Sequence, residues 1–217
     1  MKTKISVGVL GIQGDIEENE TVVQEALNHS NIKGDVKFVR YAEEIEKIDG
    51  LILPGGESTV ISNLATIQGG ILHTIKRRIA EGMPVLGTCA GMIMLAKRAY
   101  DRVVGETRQQ LLSNLDIVVE RNAFGRQDDS FEAKLSIPFL GKNNRFFKGV
   151  FIRAPVVVEV GAAVDIIAKF NNRIVGVRQG NVIGTSFHPE LSGDDRIHRQ
   201  FIKTVLDCKR HKGAQQI

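Results

Sequence analysis

The sequence predicts an α/β protein with an open, doubly wound mixed sheet that is flanked by helices. In the first hundred residues, three strand–turn–helix units precede a fourth strand, which is typical of a parallel sheet. Beyond residue 101 the apolar runs are short and closely spaced, so some of their strands must be antiparallel. With 217 residues, 42% of them hydrophobic, the chain can form one large core, and we expect a single domain over residues 1–217.

The first predicted strand, residues 5–10, is a continuous apolar run that suits a strand covered on both faces. A turn at residues 11–14 follows, and Asp15 is expected to cap the next helix, whose apolar residues recur at helical spacing. Glycines occur at positions 8, 11 and 14, but their spacing is not that of a dinucleotide fingerprint. We therefore predict no nucleotide site at this turn.

Residues 35–40 and 51–53 are predicted as the second and third strands. The third strand leads into a glycine turn at residues 54–59, where Ser58 or Thr59 is expected to cap the following helix. This turn lacks the Gly-Lys-Ser/Thr ending of a phosphate-binding loop. It is either an ordinary loop or a turn whose backbone N–H groups stabilise an oxyanion.

The fourth strand ends at Cys89, which lies between Gly87 and Gly91 where the apolar run turns into a helical one. Glycines at such an elbow permit a tight turn and a close approach of neighbouring backbone. The start of the helix would also stabilise a thiolate, because its free N–H groups and positive dipole end face the sulfur. A cysteine here is either a small buried hydrophobe or a nucleophile, and we predict a catalytic nucleophile. The helix is expected to be closed by residues 97–98.

The second half of the chain is predicted to contain short strands broken by Gly, Asn and Asp. They are expected at residues 117–119, 131–137, 149–152, 156–160, 164–170, 174–179 and 182–186. A final helix begins at about Asp194 and presents a clear apolar face.

A nucleophilic cysteine needs a base, and the base needs an orienting partner. Of the five histidines, His188 stands out, because it precedes Pro189 and Glu190 at the end of a predicted strand. The proline favours an extended backbone, so the imidazole and the carboxylate should project from the same side and meet. We predict a Cys89, His188 and Glu190 triad in which the glutamate fixes the tautomer of the imidazole. The other histidines, at 29, 73, 198 and 211, are expected on helix surfaces or in the tail.

Composition argues against several classes of protein. A net charge of +4 without long runs of one sign is too weak for nucleic-acid binding. Cys89 and Cys208 form neither a disulfide framework nor a metal-ligand cluster, which indicates a reducing compartment, and we expect the cytoplasm. No signal peptide is recognisable, and no apolar stretch approaches the roughly 18 residues of a membrane span. We expect no metal and no cofactor.

The motifs resemble those of the triad (class I) glutamine amidotransferases, and within them the glutaminase subunits of pyridoxal 5′-phosphate synthase. The matching stretches are residues 8–14, 53–59, 87–91, 121–127, 151–155 and 186–191. The sequences Gly-Gly-Glu-Ser-Thr and Arg-Asn-Ala-Phe-Gly-Arg-Gln are far more particular to this family than the cysteine elbow is. Asn19 departs from the pattern, since relatives often carry histidine at this position.

The resemblance implies that L-glutamine is hydrolysed to L-glutamate and ammonia through a thioester at Cys89. It implies that the substrate pocket is lined by Gly56, Glu57, Ser58, Arg121, Ile152 and Arg153. It also implies an oxyanion-stabilising or partner-linked role for Gly55, Gln13 and Ala90.

A separate synthase (lyase) subunit is the implied partner, in a hetero-oligomeric complex, because no second domain of this sequence would consume the ammonia. We expect weak glutaminase activity until that partner docks. Two alternatives are open. The chain could feed another synthase, such as imidazole glycerol phosphate synthase, or it could be a cysteine peptidase or a regulatory domain of the same fold.

Overall fold

The computed structural model describes residues 3–101, 103–124, 130–141 and 146–214, so residues 125–127 of the matching stretch 121–127 lie outside it. The first part alternates strands and helices: β1 (Ile5–Leu10), α1 (Ile16–His29), β2 (Gly34–Val39), α2 (Ala42–Ile45), β3 (Gly50–Leu53), α3 (Ser58–Ile67), α4 (Ile71–Ala80), β4 (Val85–Thr88) and α5 (Ala90–Leu95). The second part is mostly strands: β5 (Ala96–Asp101), β6 (Gly105–Glu106), β7 (Leu115–Arg121), β8 (Ser130–Leu135), β9 (Phe147–Ile152), β10 (Val156–Val160), β11 (Asp165–Phe170), β12 (Arg173–Gln179) and β13 (Val182–Thr185), followed by α6 (Arg196–Ala214). Short 3-10 turns cover Pro138–Leu140 and Pro189–Leu191.

Eleven strands form one mixed sheet in the order β2-β1-β3-β4-β13-β12-β10-β7-β5-β6, with β11 paired to β12. Strands β2, β1, β3, β4 and β13 are mutually parallel. Beyond them, β12 pairs antiparallel with β13, and β10 pairs antiparallel with both β12 and β7. Strand β5 pairs parallel with β7. Strands β8 and β9 form a separate antiparallel pair. The predicted open mixed sheet with flanking helices is confirmed.

Alternate residues of the central strands face two hydrophobic cores. Val9 of β1 and Ile52 of β3 belong to the core that α1 and α6 cover, where Phe201 is fully buried. Their chain neighbours Leu10 and Leu53 belong to the opposite core, which α3, α4 and α5 cover. Both faces of these strands are therefore buried, as their continuous apolar sequences predict. Among the described residues, no helix is long and apolar enough to span a bilayer.

The parallel strands bring four distant turns to one edge of the sheet. The carboxyl ends of β1, β3, β4 and β13 lie side by side, because β13 pairs with β4 in the register Thr185 to Thr88 and β3 pairs with β4 in the register Leu53 to Gly87. Ligands and reacting groups in α/β sheets gather at this edge. The turns after these strands contain most of the predicted site residues, whereas Arg121 ends β7, Ile152 ends β9 and Arg153 follows it.

The predicted cap of α3 is wrong. Glu57 is the N-cap residue, and its carboxylate accepts hydrogen bonds from the backbone N–H groups of Thr59 and Val60 at 3.2 and 2.9 Å. A carboxylate is favoured at this position because the start of a helix carries a partial positive charge. Ser58, one of the two predicted caps, is instead the first residue of the helix.

Strand β5 was missed by the sequence pattern, which places residues 97–98 at the end of a helix. Helix α5 ends at Leu95, and the chain enters β5 directly at Ala96. The strand buries only alanines on its inner face, Ala96 and Ala99, while Lys97 and Arg98 are exposed. Small buried residues between charged ones give no recognisable strand pattern.

Candidate active site

Cys89 occupies the sharp turn between β4 and α5. Its φ of 47° and ψ of −101° lie in a region that residues other than glycine rarely adopt. The backbone N–H of Cys89 donates to the carbonyl of Thr185 at 2.7 Å, and the carbonyl of Cys89 accepts the N–H of Ile93 at 3.2 Å. A Cβ added to Gly87 would lie 2.7 Å from the backbone carbon of Gly91, so the elbow requires a glycine there. These contacts hold a strained cysteine at the edge of the sheet.

His188 follows β13 and contacts Glu190, as the sequence predicts. The Nδ1 atom of His188 lies 2.9 Å from Oε1 of Glu190, and the glutamate side chain is completely buried. The backbone at His188 is extended, whereas Glu190 lies in a 3-10 turn rather than in an extended segment. Burial raises the pKa of Glu190, and its hydrogen bond with His188 opposes that effect.

The side chain of Cys89 interacts with the same imidazole ring. Burial lowers the pKa of His188, but hydrogen bonds with Asp15, Cys89 and Glu190 outweigh burial and raise the pKa well above its ordinary value. The Nε2 atom is buried and makes no hydrogen bond of regular geometry within the described part of the chain. The sulfur of Cys89 also lies 3.8 Å from the carbonyl oxygen of Ile152. A protonated imidazole beside a thiol is the arrangement that stabilises a thiolate.

Asp15 joins this group, which the sequence does not predict. Its Oδ2 atom lies 3.0 Å from Nδ1 of His188. Asp15 occupies the N-cap position of α1 as expected, but its side chain caps none of the N–H groups of that helix, all of which lie within the described range 3–101. The one available signal is that Asp15 follows β1, whose carboxyl end lies at the same sheet edge as Cys89.

The side chains of Asp15, His188 and Glu190 also offer ligand atoms that lie within 4.8 Å of one another, an arrangement that could surround a metal ion. The distances of 3.0 and 2.9 Å from Nδ1 of His188 to Asp15 and Glu190 are, however, those of direct hydrogen bonds. A charged hydrogen-bonded cluster accounts for the geometry without an ion.

The glycine turn after β3 lies against the same histidine. A Cβ added to Gly55 would be 2.3 Å from Cε1 of His188, so only glycine permits this approach. The carbonyl of Gly55 accepts the N–H of Asp15 at 3.3 Å, and the side-chain oxygen of Gln13 accepts the N–H of Glu57 at 2.9 Å. Ala90 begins α5 directly after Cys89, where backbone N–H groups have no intrahelical acceptor. Of the three residues predicted for an oxyanion or partner-linked role, Ala90 therefore adjoins Cys89, Gly55 lies against His188, and Gln13 contacts the glycine turn.

A cavity of about 250 Å³ opens beside the thiol. Cys89 and His188 line it, together with Gln13 and Asp15. All six residues predicted for the substrate pocket line it as well: Gly56, Glu57, Ser58, Arg121, Ile152 and Arg153.

The cavity wall carries charges of both signs. Nη2 of Arg121 lies 2.7 Å from Oε1 of Glu57, and Nη1 donates to the hydroxyl of Thr59 at 3.0 Å. Burial opposes ionisation of Glu57, but the backbone N–H groups at the start of α3 and the charge of Arg121 lower its pKa below the ordinary value. Arg153 has a φ of 43° and is exposed. A small molecule with both a carboxylate and an ammonium group suits this wall.

The remaining histidines only partly match the prediction. His29, His73 and His211 are exposed, as expected. His198 of α6 is instead completely buried, and burial lowers its pKa to about 4. His198 has helical spacing to Phe201, Ile202 and Val205, so the pattern itself places it on the buried face of α6, and only its polar residue type suggested the surface.

Comparison with known proteins gives a consistent result. Residues 9–207 match the model of the SNO glutamine amidotransferase family. The chain is 46% identical over 204 residues to a protein of Nitrosopumilus maritimus named pyridoxal 5′-phosphate synthase subunit PdxT, covering 94% of this chain and 98% of that protein. It is 47% identical over 204 residues to the protein of the same name from Pyrococcus furiosus, covering 93% of this chain and 100% of that one.

Solved structures extend the comparison. A crystal structure of a glutamine amidotransferase, 44% identical in sequence, superposes with a TM-score of 0.78 and covers 92% of this chain and 98% of its own. A glutamine amidotransferase of Thermotoga maritima superposes with a TM-score of 0.60, covering 95% of this chain and 97% of its own. At 12% identity, the second similarity concerns the fold alone.

Proposed function

Because this chain belongs to the SNO glutamine amidotransferase family, we propose that it hydrolyses L-glutamine to L-glutamate and ammonia by means of Cys89, His188 and Glu190. The observation that carries the proposal is the buried 2.9 Å contact between His188 and Glu190, with the side chain of the strained Cys89 interacting with the same imidazole. Nucleophile, base and orienting carboxylate are the three parts that such an acyl transfer requires.

In the proposed reaction, the thiolate of Cys89 attacks the side-chain amide carbon of glutamine, and the amide oxygen takes the negative charge. Nε2 of the imidazolium of His188 donates its proton to the amide nitrogen, which leaves as ammonia while a thioester forms on the sulfur. The neutral imidazole then takes a proton from water, whose oxygen attacks the thioester carbonyl. Glutamate is released and the thiolate returns, while Glu190 holds Nδ1–H in place.

The oxyanion needs hydrogen-bond donors at the position where its charge develops. We assign this role to backbone N–H groups of Ala90 and of the Gly55–Gly56 turn. The position of Ala90 at the start of α5 supports the assignment, since its N–H is not used within the helix. Gln13 supports the glycine turn by accepting the N–H of Glu57.

The charged wall of the cavity suits the two free ends of glutamine. We propose that Arg121 and Arg153 bind the α-carboxylate, because a guanidinium can donate two parallel hydrogen bonds. Glu57, which is held ionised by α3 and Arg121, would receive the α-ammonium. Gly56, Ser58 and Ile152 complete the pocket. Leaving either charged end of the substrate unpaired would weaken binding.

The proposed partner is a synthase (lyase) subunit that consumes the ammonia. Relatives from Nitrosopumilus maritimus and Pyrococcus furiosus are named subunits of pyridoxal 5′-phosphate synthase, and this chain covers nearly their whole length. We propose that residues 1–217 act as one glutaminase domain in a hetero-oligomeric complex of the cytoplasm. The hydrolysis itself calls for no metal and no cofactor, because side chains supply the nucleophile and the proton transfers.

The test measures glutamate release from L-glutamine by the purified chain, alone and with a candidate synthase subunit, together with the absorbance of the coenzyme. We expect slow release by the isolated chain, faster release in the complex, and coenzyme formation. Equal rates would contradict activation by the partner, and glutamate release without coenzyme would indicate a different synthase. The Cys89→Ala variant should lose activity but still form the complex, whereas Cys208→Ala should behave as wild type.

A further inference from the structure

We propose that Asp15 is a positioning residue for His188, and that its carboxylate shares the Nδ1–H of the imidazole with Glu190. The inference rests on the proposed function, because it concerns the histidine assigned to proton transfer. The two carboxylate oxygens lie at nearly equal distances from Nδ1, 3.0 Å for Asp15 and 2.9 Å for Glu190. Two acceptors around one N–H define the ring plane more tightly than one acceptor does.

The first argument is the helix cap that Asp15 does not make. An aspartate at the N-cap position usually accepts a backbone N–H of the first turn, which stabilises the helix by about 1 kcal/mol. Asp15 holds the N-cap position of α1, but its side chain turns away from the N–H groups of the described helix and toward His188. The contact with the imidazole therefore competes successfully with a favourable local interaction.

The second argument is a difference in burial between the two carboxylates. The side chain of Glu190 is completely buried, whereas that of Asp15 is 32% exposed. A charge on the buried glutamate carries a desolvation cost, and the nearby aspartate adds to it by repulsion. A carboxylate that water reaches can hold negative charge beside the ring without that cost. We infer that Asp15 stabilises the imidazolium in addition to sharing the orientation of the ring with Glu190.

The third argument is that Asp15 connects His188 to the glycine turn after β3 and to the first turn of α1. Its backbone N–H donates to the carbonyl of Gly55 at 3.3 Å, and its own carbonyl accepts the side-chain N–H of the buried Asn19 at 2.7 Å. A displacement of the glycine turn or of the first turn of α1 would therefore move the carboxylate relative to His188. Asp15 thus couples the proposed oxyanion turn to the proposed base.

Within the described residues, the ionisable groups that interact with His188 come from three separate parts of the fold. Asp15 lies at the start of α1, Cys89 precedes α5 and Glu190 follows β13. The other charged residues that line the cavity are Glu57, Arg121 and Arg153. Of these groups, Asp15 is the one outside the proposed triad that contacts the imidazole.

The experiment compares wild type with Asp15→Asn, Asp15→Glu and the control Glu18→Gln. Glu18 is an exposed residue in the first turn of the same helix, so its substitution removes the same charge without touching His188. Iodoacetamide alkylation of Cys89 is followed against pH by peptide mass spectrometry, which separates it from the free Cys208. The pH dependence of kcat and KM for L-glutamine is measured in parallel.

We expect Asp15→Asn to move the alkaline step of the kcat and Cys89 alkylation profiles, at which the imidazolium of His188 loses its proton, downward by about one pH unit, because loss of an opposite charge at this distance shifts a titration by 1 to 3 units. On the alkaline side of that step, kcat should fall about tenfold with little change in KM, because the imidazolium that donates the proton is lost at lower pH. Asp15→Glu should recover part of both effects, and Glu18→Gln should match wild type.

Alkylation and kcat profiles of Asp15→Asn that superpose on those of wild type would overturn the proposal. So would an equal change in Glu18→Gln, which would indicate a general charge effect. Alkylation of Cys89 does not require catalytic turnover. The experiment can therefore contradict the role of Asp15 without contradicting the proposed glutaminase function, and the reverse. A wild type that releases no glutamate contradicts the proposed function, whereas an active wild type with an unaltered Asp15→Asn profile contradicts only the role of Asp15.

Discussion

Gly91 lies directly against the carbonyl of Leu53, the last residue of β3. A Cβ added to Gly91 would be 2.0 Å from the oxygen of Leu53, far inside any contact that real side chains make. The obstacle is backbone, which cannot rotate away as a flexible side chain can. This close approach lets α5 start next to the end of β3, and so places Cys89 at the same sheet edge as the glycine turn that follows β3.

We expect Gly91→Ala to lower the free energy of unfolding by about 2 kcal/mol, because either α5 or β3 must shift to accept the methyl group. Glutaminase activity should fall with it, since the shift displaces Cys89. Urea unfolding and glutamate release measure the two effects. Gly213→Ala is the matched control, because nothing lies within 4 Å of a Cβ at that exposed helical position. A variant at position 91 as stable and active as this control would contradict the account.

Replacing Arg121 tests the charged wall of the pocket. Arg121→Ala removes the ion pair with Glu57 and a proposed partner of the substrate carboxylate. We expect KM for L-glutamine to rise about tenfold or more, with a smaller change in kcat, because binding rather than the reacting atoms is affected. Arg98→Ala, on β5, removes an exposed ion pair with Glu159 of β10 and should leave KM unchanged. An unchanged KM in Arg121→Ala would exclude this arginine from binding the substrate carboxylate.

Burial of His198 predicts a loss of stability in mild acid. The folded state holds the pKa of this histidine at about 4, below the ordinary value of 6.5, because the ring is desolvated in α6. Between these values the unfolded chain binds the additional proton. The stabilising contribution of a neutral His198 is therefore complete above pH 6.5 and is lost as the pH falls toward 4.

From pH 7 to pH 5, this linkage removes about 2 kcal/mol from the free energy of unfolding of wild type. We expect His198→Leu to lack that part of the pH dependence in urea unfolding at the two pH values. His73→Leu, at an exposed histidine of α4, should keep the wild-type pH dependence. Parallel pH profiles for wild type and His198→Leu would contradict the assignment.

The sequence predicts those parts of the site that lie in turns directly after parallel strands. Parallel strands end at one edge of the sheet, so the turns that contain Gly55, Cys89 and His188 had to meet once the strands were recognised. The contact of His188 with Glu190 needs only two residues and a proline between them. For these features, local pattern and topology were sufficient.

Other features depend on distances between elements that are remote in the chain. Asp15 was expected to cap α1, and only the packing of that helix against the turn after β13 shows that its carboxylate contacts His188. The burial of His198 is a different case, because its helical spacing to Phe201 and Ile202 already places it on the buried face of α6. The cap by Glu57 was missed because a longer side chain competed with two residues that are more usual caps. Which of several neighbouring side chains caps a helix is decided by packing, and the periodicity of the sequence does not reveal it.

The central claim is that Cys89 is the nucleophile that attacks glutamine. Its most direct test is detection of a glutamyl thioester on Cys89. Wild type is mixed with isotopically labelled L-glutamine in the presence of the synthase subunit, quenched in acid and digested, and the peptides are examined by mass spectrometry. The account predicts a labelled glutamyl thioester on Cys89, its disappearance on treatment with hydroxylamine, and no label in Cys89→Ala. Release of labelled glutamate with no adduct on Cys89, or with an adduct on Cys208, would contradict it.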